Sequence, residues 1–269
     1  MKPKALILQA HGSNRDYDVA EALTLAGADP QPVPLNELRM KKTLLATFQL
    51  LIVPGGFSYA DALGAGKLLA LDLNSYFNEE ISEFVEAGKP VIGICNGFQA
   101  LVKSGILPGD SPSPDPSGHP LPKGEGKATL TFNADGHFEC RWVNLAPVSQ
   151  TCIWTKGLDD SILCPIAHGE GNFQTSDSFP LSAFIESDQV ALTYIHADGS
   201  PANGDYPANP NGSVLDIAGI CNPQGNVLGL MPHPENHIYL HQHPQWTRGV
   251  KGNSGLTLFE NGVKYTSQL

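Results

Sequence analysis

Positive charge is scarce in this 269-residue chain: 16 Lys and Arg face 27 Asp and Glu, a formal net charge of −11. Nucleic acid and anionic membranes select basic patches, so neither is an expected partner, and proteins or small molecules are. No apolar run reaches the length of a membrane span. The opening Met-Lys-Pro-Lys-Ala-Leu-Ile-Leu-Gln-Ala-His-Gly holds an apolar stretch too short for the core of a signal peptide, so a soluble, cytoplasmic protein is expected. Cysteine is sparse. Cys95, Cys140, Cys152, Cys164 and Cys221 are odd in number, widely spaced and without a Cys-x-x-Cys pair, which suggests neither a disulfide framework nor a zinc site. Also absent are a P-loop, any other Gly-rich phosphate motif, an internal repeat and a linker, so residues 1–269 are read as a single domain.

What is present alternates. Ala5 to Gln9 reads as a buried strand, a polar turn follows at His11-Gly12-Ser13-Asn14, and a helix is expected over about Asp18 to Ala26 with Gly27 as its stop. Gln31 to Leu35 and Gln49 to Val53 read as strands, the second ending in Pro54-Gly55-Gly56, and a helix over about Tyr76 to Ala87 delivers the chain into Val91 to Ile94. Such alternation predicts an α/β fold with a mostly parallel open sheet and helices on both faces, in which ligands bind at the carboxyl ends of strands. Pro108 to Gly126, dense in Pro, Gly and Ser, is expected to be an exposed loop. Beyond it, Ala128 to Phe132, Phe138 to Leu145 and Gln189 to His196 alternate like antiparallel strands, Tyr206 to Ser213 reads as a loop, and Ser213 to Leu230 reads as a hairpin through Asn222-Pro223-Gln224-Gly225. These strands are expected to extend the sheet.

Cys95 lies where the strand Val91–Ile94 gives way to a helix-period apolar face, flanked by Gly93 and Gly97. Gly-x-Cys-x-Gly is the thiol form of the strand-turn-helix nucleophile elbow, whose sharp turn leaves no room for side chains two residues either side of the nucleophile. The turn puts the sulfur at the first turn of a helix, where unsatisfied N–H groups favour an anion. A thiol nucleophile needs a base, and the base needs a carboxylate to fix its tautomer. His233 and Glu235, two residues apart after the strand Val227–Met231, offer both. The glycines at 55 and 56 offer a third part, a turn that aims backbone N–H groups, chiefly those of Gly56 and Phe57, at a developing oxyanion. His233, His237, His241 and His243 with Glu235 also raise a metal site, but Pro234 and Pro244 bracket the stretch and no His-Glu-x-x-His order appears, so no metal is expected.

Five segments carry a family resemblance: Pro54-Gly-Gly-Phe-Ser-Tyr-Ala-Asp61, Gly93-Ile-Cys-Asn-Gly-Phe-Gln99, Pro165-Ile-Ala-His-Gly-Glu-Gly171, Asn209-Pro-Asn-Gly-Ser213 and Gly229-Leu-Met-Pro-His-Pro-Glu235. In order and over nearly the whole chain, they resemble the class I, triad-type glutamine amidotransferases, and within them the family of phosphoribosylformylglycinamidine synthase glutaminase subunits of purine biosynthesis. The resemblance implies a Cys95, His233, Glu235 triad that hydrolyses glutamine through a thioester, with substrate contacts among Asn96, Gln99, His168, Gly169 and Glu170. It also implies a partner: the ammonia passes to an ATP-dependent synthetase subunit, with a small accessory subunit in the same complex. No cofactor is then expected on this chain, and ATP and Mg belong to the synthetase. Two positions depart from the family pattern, Ala60 where Gly is usual and Asn236 where Arg is usual. Two other readings stay open, a hydrolase or peptidase-like enzyme using the same elbow, and a non-catalytic interaction subunit.

Overall fold

Apolar four- to six-residue runs become the buried strands, and the first half of the chain winds around them. The computed structural model describes residues 2–109, 127–176, 180–249, 252 and 254–269. Along it run β1 (Lys4–Gln9), α1 (Asp16–Leu25), β2 (Asp29–Pro34), α2 (Leu35–Met40), β3 (Leu50–Val53), α3 (Lys67–Tyr76), α4 (Asn78–Glu86), β4 (Val91–Ile94) and α5 (Asn96–Ser104). Then come β5 (Ala128–Thr131), β6 (Glu139–Pro147), β7 (Ile162–His168), β8 (Asn172–Thr175), α6 (Leu181–Glu186), β9 (Val190–Ile195), β10 (Ile217–Cys221), β11 (Val227–Leu230) and α7 (Leu256–Thr266).

Nine strands form one sheet in the order β2-β1-β3-β4-β11-β10-β9-β6-β7. The pairs from β2 to β11 are parallel, and those from β11 to β7 are antiparallel. This is the predicted parallel sheet with an antiparallel extension. The inner parallel strands β3 and β4 are buried on both faces, hence their unbroken Leu-Leu-Ile-Val and Val-Ile-Gly-Ile character. Helix α5 packs on β4 and β11 and pairs with α3, while α1 packs on β1 and β2 and pairs with α7.

One expectation needs correction, and some elements were not anticipated. Residues 128–131 do not join the main sheet but pair with β8 in a separate two-stranded sheet. The helix expected over about 76–87 is α4 (Asn78–Glu86), while α3 before it was not anticipated; the two meet at Phe77 (φ −132°), whose buried ring anchors the joint. Strand β7 was not anticipated, because Pro165 interrupts its pattern; Pro is compatible with the position because β7 is an edge strand. Most of the predicted Pro-rich loop, residues 110–126, lies outside the described residues.

The edge strand matters for the site. The N–H of His233 donates to Pro165 O (2.8 Å) and the Ser254 hydroxyl caps the N–H of Leu163 (2.9 Å), so the segment after β11 covers this edge. The antiparallel extension thus curls back until β7 lies against the carboxyl ends of β4 and β11.

Candidate active site

Three neighbouring parallel strands, β3, β4 and β11, each end in one of the predicted elements, which is why they meet. Cys95 follows β4 with its N–H paired to Leu230 O of β11 (2.8 Å), and its backbone sits at φ 50°, ψ −107°. A non-glycine residue rarely adopts this conformation, and surrounding structure must hold it there. The flanking glycines have separate reasons. A Cβ at Gly93 would lie 2.9 Å from the Gly97 carbonyl, as the elbow argument requires, whereas one at Gly97 would lie 1.9 Å from the Val53 carbonyl oxygen. Gly97 therefore lets α5 start hard against the end of β3.

His233 and Glu235 follow β11 and are 3 % and 0 % exposed, so their bond is shielded from water. His233 Nδ1 meets Glu235 Oε1 at 2.7 Å. The carboxylate accepts, so Nδ1 carries a proton and Nε2 is the nitrogen turned to the thiol. Burial opposes charge on the imidazole, but Glu235 and Cys95 together push its pKa up to about 10. The other Glu235 oxygen, Oε2, has no hydrogen-bond partner among the described residues. Gly55 shows how close the three ends come: a Cβ there would stand 2.8 Å from His233 Cε1 and 3.4 Å from Cys95 Cβ. Only glycine lets the turn after β3 close over the thiol and imidazole.

The oxyanion donors divide. Gly56 has φ 121°, and a Cβ on it would strike Asn14, so it is confined to glycine, and its N–H has no partner among the described residues. Phe57 differs from the expectation. Its N–H is already donated to Gly12 O (3.2 Å), because the 10–14 turn pairs with this segment through the Ser13–Gly56 bridge. The elbow itself presents a second N–H, that of the residue after the nucleophile, here Asn96.

The substrate-contact candidates are brought near the nucleophile but tied to one another. Asn96 and Gln99 are 2 % and 3 % exposed. Asn96 Nδ2 donates to Gln99 Oε1 (3.1 Å), and Gln99 Nε2 donates to Glu170 O (2.7 Å). The Glu170 carboxylate faces the Lys103 ammonium (3.6 Å) and accepts from the Ala65 N–H (3.4 Å). Gly169 accepts the Asn133 N–H through its carbonyl (2.9 Å). His168 is buried: Asn133 gives its amide hydrogens to His137 O and His168 O, so its oxygen receives the Nδ1–H of His168 (3.1 Å). Burial first, and the charge of His233 second, lower the His168 pKa to about 3, so the ring is neutral with Nε2 unpartnered among the described residues. Gly171 exists to make room for that ring, since a Cβ there would meet it at 2.2 Å. Ser58, Asp61, Lys103 and Asn133 were missed by sequence reasoning, although Ser58 and Asp61 lie inside one of the segments that carry the resemblance.

His237 turns Nδ1 toward Leu163 O and packs edge-on against Trp142, as does His243. Among the described residues no three His, Cys, Asp or Glu side chains are placed to hold a metal ion.

A model of the CobB/CobQ-like glutamine amidotransferase domain matches residues 2–266. The phosphoribosylformylglycinamidine synthase subunit PurQ of Treponema denticola is 53% identical over 98% of this chain and 99% of its own length. The chain belongs to this glutamine amidotransferase family. The PurQ subunit of Dehalococcoides mccartyi is 44% identical over 100% of this chain and 99% of its own length. The fold agrees with a chain in the structure of PurLQS from Thermotoga maritima, at TM-score 0.73 and 31% identity, covering 98% of this chain and 99% of that one.

Proposed function

We propose that this chain is the glutaminase subunit of a phosphoribosylformylglycinamidine synthase and that Cys95, His233 and Glu235 are its triad. The observation that carries the reading is the convergence of a strained Cys95, a buried His233–Glu235 pair and the Gly55-Gly56 turn at three adjacent strand ends. With the thiol proton taken by His233 Nε2, the Cys95 sulfur attacks the carboxamide carbon of glutamine, and the resulting oxyanion is met by the N–H of Gly56 and that of Asn96. His233 then gives its Nε2 proton to the departing nitrogen; the C–N bond breaks and a γ-glutamyl thioester is left on Cys95. Water, deprotonated by the same imidazole, attacks the thioester and releases glutamate and the thiol. Glu235 keeps the imidazole in one tautomer throughout.

Ammonia released into bulk water would be protonated and lost as a nucleophile, so the product is passed directly to a partner. The family relationship to a protein of the PurLQS assembly supports an ATP-dependent synthetase subunit and a small accessory subunit as partners, with ATP and Mg held by the synthetase. No helix among the described residues is long and apolar enough to cross a membrane, and we assign the complex to the cytoplasm.

The test is labelling by an electrophilic glutamine analogue and glutamine hydrolysis, for the wild type and Cys95→Ser, with and without the cognate synthetase and its nucleotides. Stoichiometric labelling at Cys95, with hydrolysis rising when the synthetase is added, is expected. An unlabelled Cys95 and intact glutamine in the full complex would overturn the reading.

A further inference from the structure

The segment that bears the Gly56 N–H is under backbone strain. Downstream of Gly56, Tyr59, Ala60, Asp61 and Leu63 all sit at left-handed φ, between 52° and 66°, and none is glycine. Such a run persists only when contacts outside it over-determine its shape. Its beginning is tied to the 10–14 turn, through Phe57 N–H to Gly12 O (3.2 Å) and Tyr59 N–H to His11 O (2.6 Å). Its end is tied to α5 by the Lys103 ammonium, which donates to Ala65 O. Neither tie fixes the distance from Gly56 to the nucleophile.

Asn96 does. It is the first residue of α5, directly after Cys95, and its buried amide uses all four of its bonds. Oδ1 accepts the Ser58 N–H (3.2 Å) and the Ser58 hydroxyl, while Nδ2 donates to Asp61 Oδ1 (3.0 Å) and Gln99 Oε1 (3.1 Å). A backbone N–H can only donate, so the contact with Ser58 fixes which end of the amide is oxygen. Ser58 lies two residues beyond Gly56. The amide therefore spans from the nucleophile elbow to both halves of the strained segment, with no bonding capacity left over for a substrate.

We propose that the Asn96 side chain is a positioning residue, which sets the segment bearing the Gly56 N–H relative to Cys95 and so controls oxyanion stabilisation rather than glutamine binding. This rests on the glutaminase reading above and replaces the expectation that the Asn96 side chain touches substrate. Oxyanion donors act only within a few tenths of an ångström of their place, so releasing the clamp costs turnover. Removing the amide leaves the Asn96 backbone N–H in position.

The experiment uses the complex with the cognate synthetase and its nucleotides. For Asn96→Ala, kcat for glutamine hydrolysis is expected to fall on the order of 10–100-fold, with KM within about threefold. Ser58→Ala, which removes one of the four bonds, is expected to fall less, and the double variant to fall no further than Asn96→Ala, because the two act as one unit. Alkylation of Cys95 by iodoacetamide forms no oxyanion, so its rate should stay within about threefold in every variant. A wild type that leaves glutamine intact defeats the glutaminase reading itself. An active wild type with Asn96→Ala retaining kcat, raising KM instead, or losing alkylation in parallel with hydrolysis defeats the positioning role.

Discussion

Replacing Glu235 by Gln separates the catalytic use of the buried pair from its contribution to folding. The carboxylate holds His233 Nδ1 at 2.7 Å and has no exposed surface, so no water can take its place when it is removed. A glutamine amide turns either its oxygen or its NH2 toward Nδ1, and the second choice moves the imidazole proton to Nε2, the atom that must receive the thiol proton. Losing the orienting carboxylate of a Ser-His-Asp triad lowers kcat by about 10⁴. Here on the order of 10³–10⁴ is expected, equivalent to about 4–5.5 kcal/mol of barrier. Stability should move far less. The variant exchanges a hydrogen bond to a charged group, worth about 1.5–3 kcal/mol, for a neutral one worth about 0.5–1.5 kcal/mol, while the second side-chain atom stays buried without a partner in both proteins, so urea unfolding near neutral pH should shift by about 1–2 kcal/mol. The assays are single-turnover thioester formation and chemical denaturation on the same preparation. A drop in turnover below tenfold, or a loss of stability matching the rise in barrier, would refute the orienting role.

Two further outcomes follow from the backbone and the buried histidine. Ala60→Gly is expected to stabilise the protein by about 0.5–1 kcal/mol, since a left-handed L-residue costs about 1–2 kcal/mol and glycine about 0.4–1 kcal/mol in the unfolded chain; Ala60 is exposed and loses no packing, and a lower urea midpoint for the variant would refute the strain argument. His168 binds its proton near 6.5 when unfolded but near 3 when folded, so between those values the unfolded state holds more protons and stability falls as pH falls. From pH 6.5 to 4.5 this one group is worth about 2–3 kcal/mol, and His168→Gln should flatten the pH dependence of unfolding in that window; parallel profiles for the two proteins would show that the ring is not the group responsible.

The inner strands of the parallel half were legible because a strand buried on both faces is apolar along its length, and β1, β3 and β4 are short runs with little ambiguity. Edge and satellite strands are half exposed and obey weaker rules. β7 contains a proline that only its edge position tolerates, and β5 shows an alternation that identifies a strand but not its partner. The helix α4 was legible, but α3 before it was not, and the joint between them is set by where the buried Phe77 ring finds the core.

At the site, the proposed triad was legible because the chemistry it would perform needs particular side chains: a thiol, an imidazole and a carboxylate have few substitutes, and glycines at an elbow have a steric cause. The proposed oxyanion hole is built from backbone donors, which carry no residue label. Phe57 looked as good as Gly56 until the 10–14 turn was seen to take its N–H. The polar residues around the nucleophile were harder to place because Asn96 and Gln99 could satisfy their amides either with substrate or with the protein. In the folded chain Asn96 finds Ser58, Asp61 and Gln99 and uses all four bonds of its amide before any ligand arrives, whereas Gln99 accepts from Asn96 and donates to Glu170 and keeps one N–H free among the described residues. A polar side chain beside a nucleophile is therefore assigned to substrate only when a bond is left over. By that measure the groups left vacant among the described residues include the Gly56 N–H and, further back, His168 Nε2.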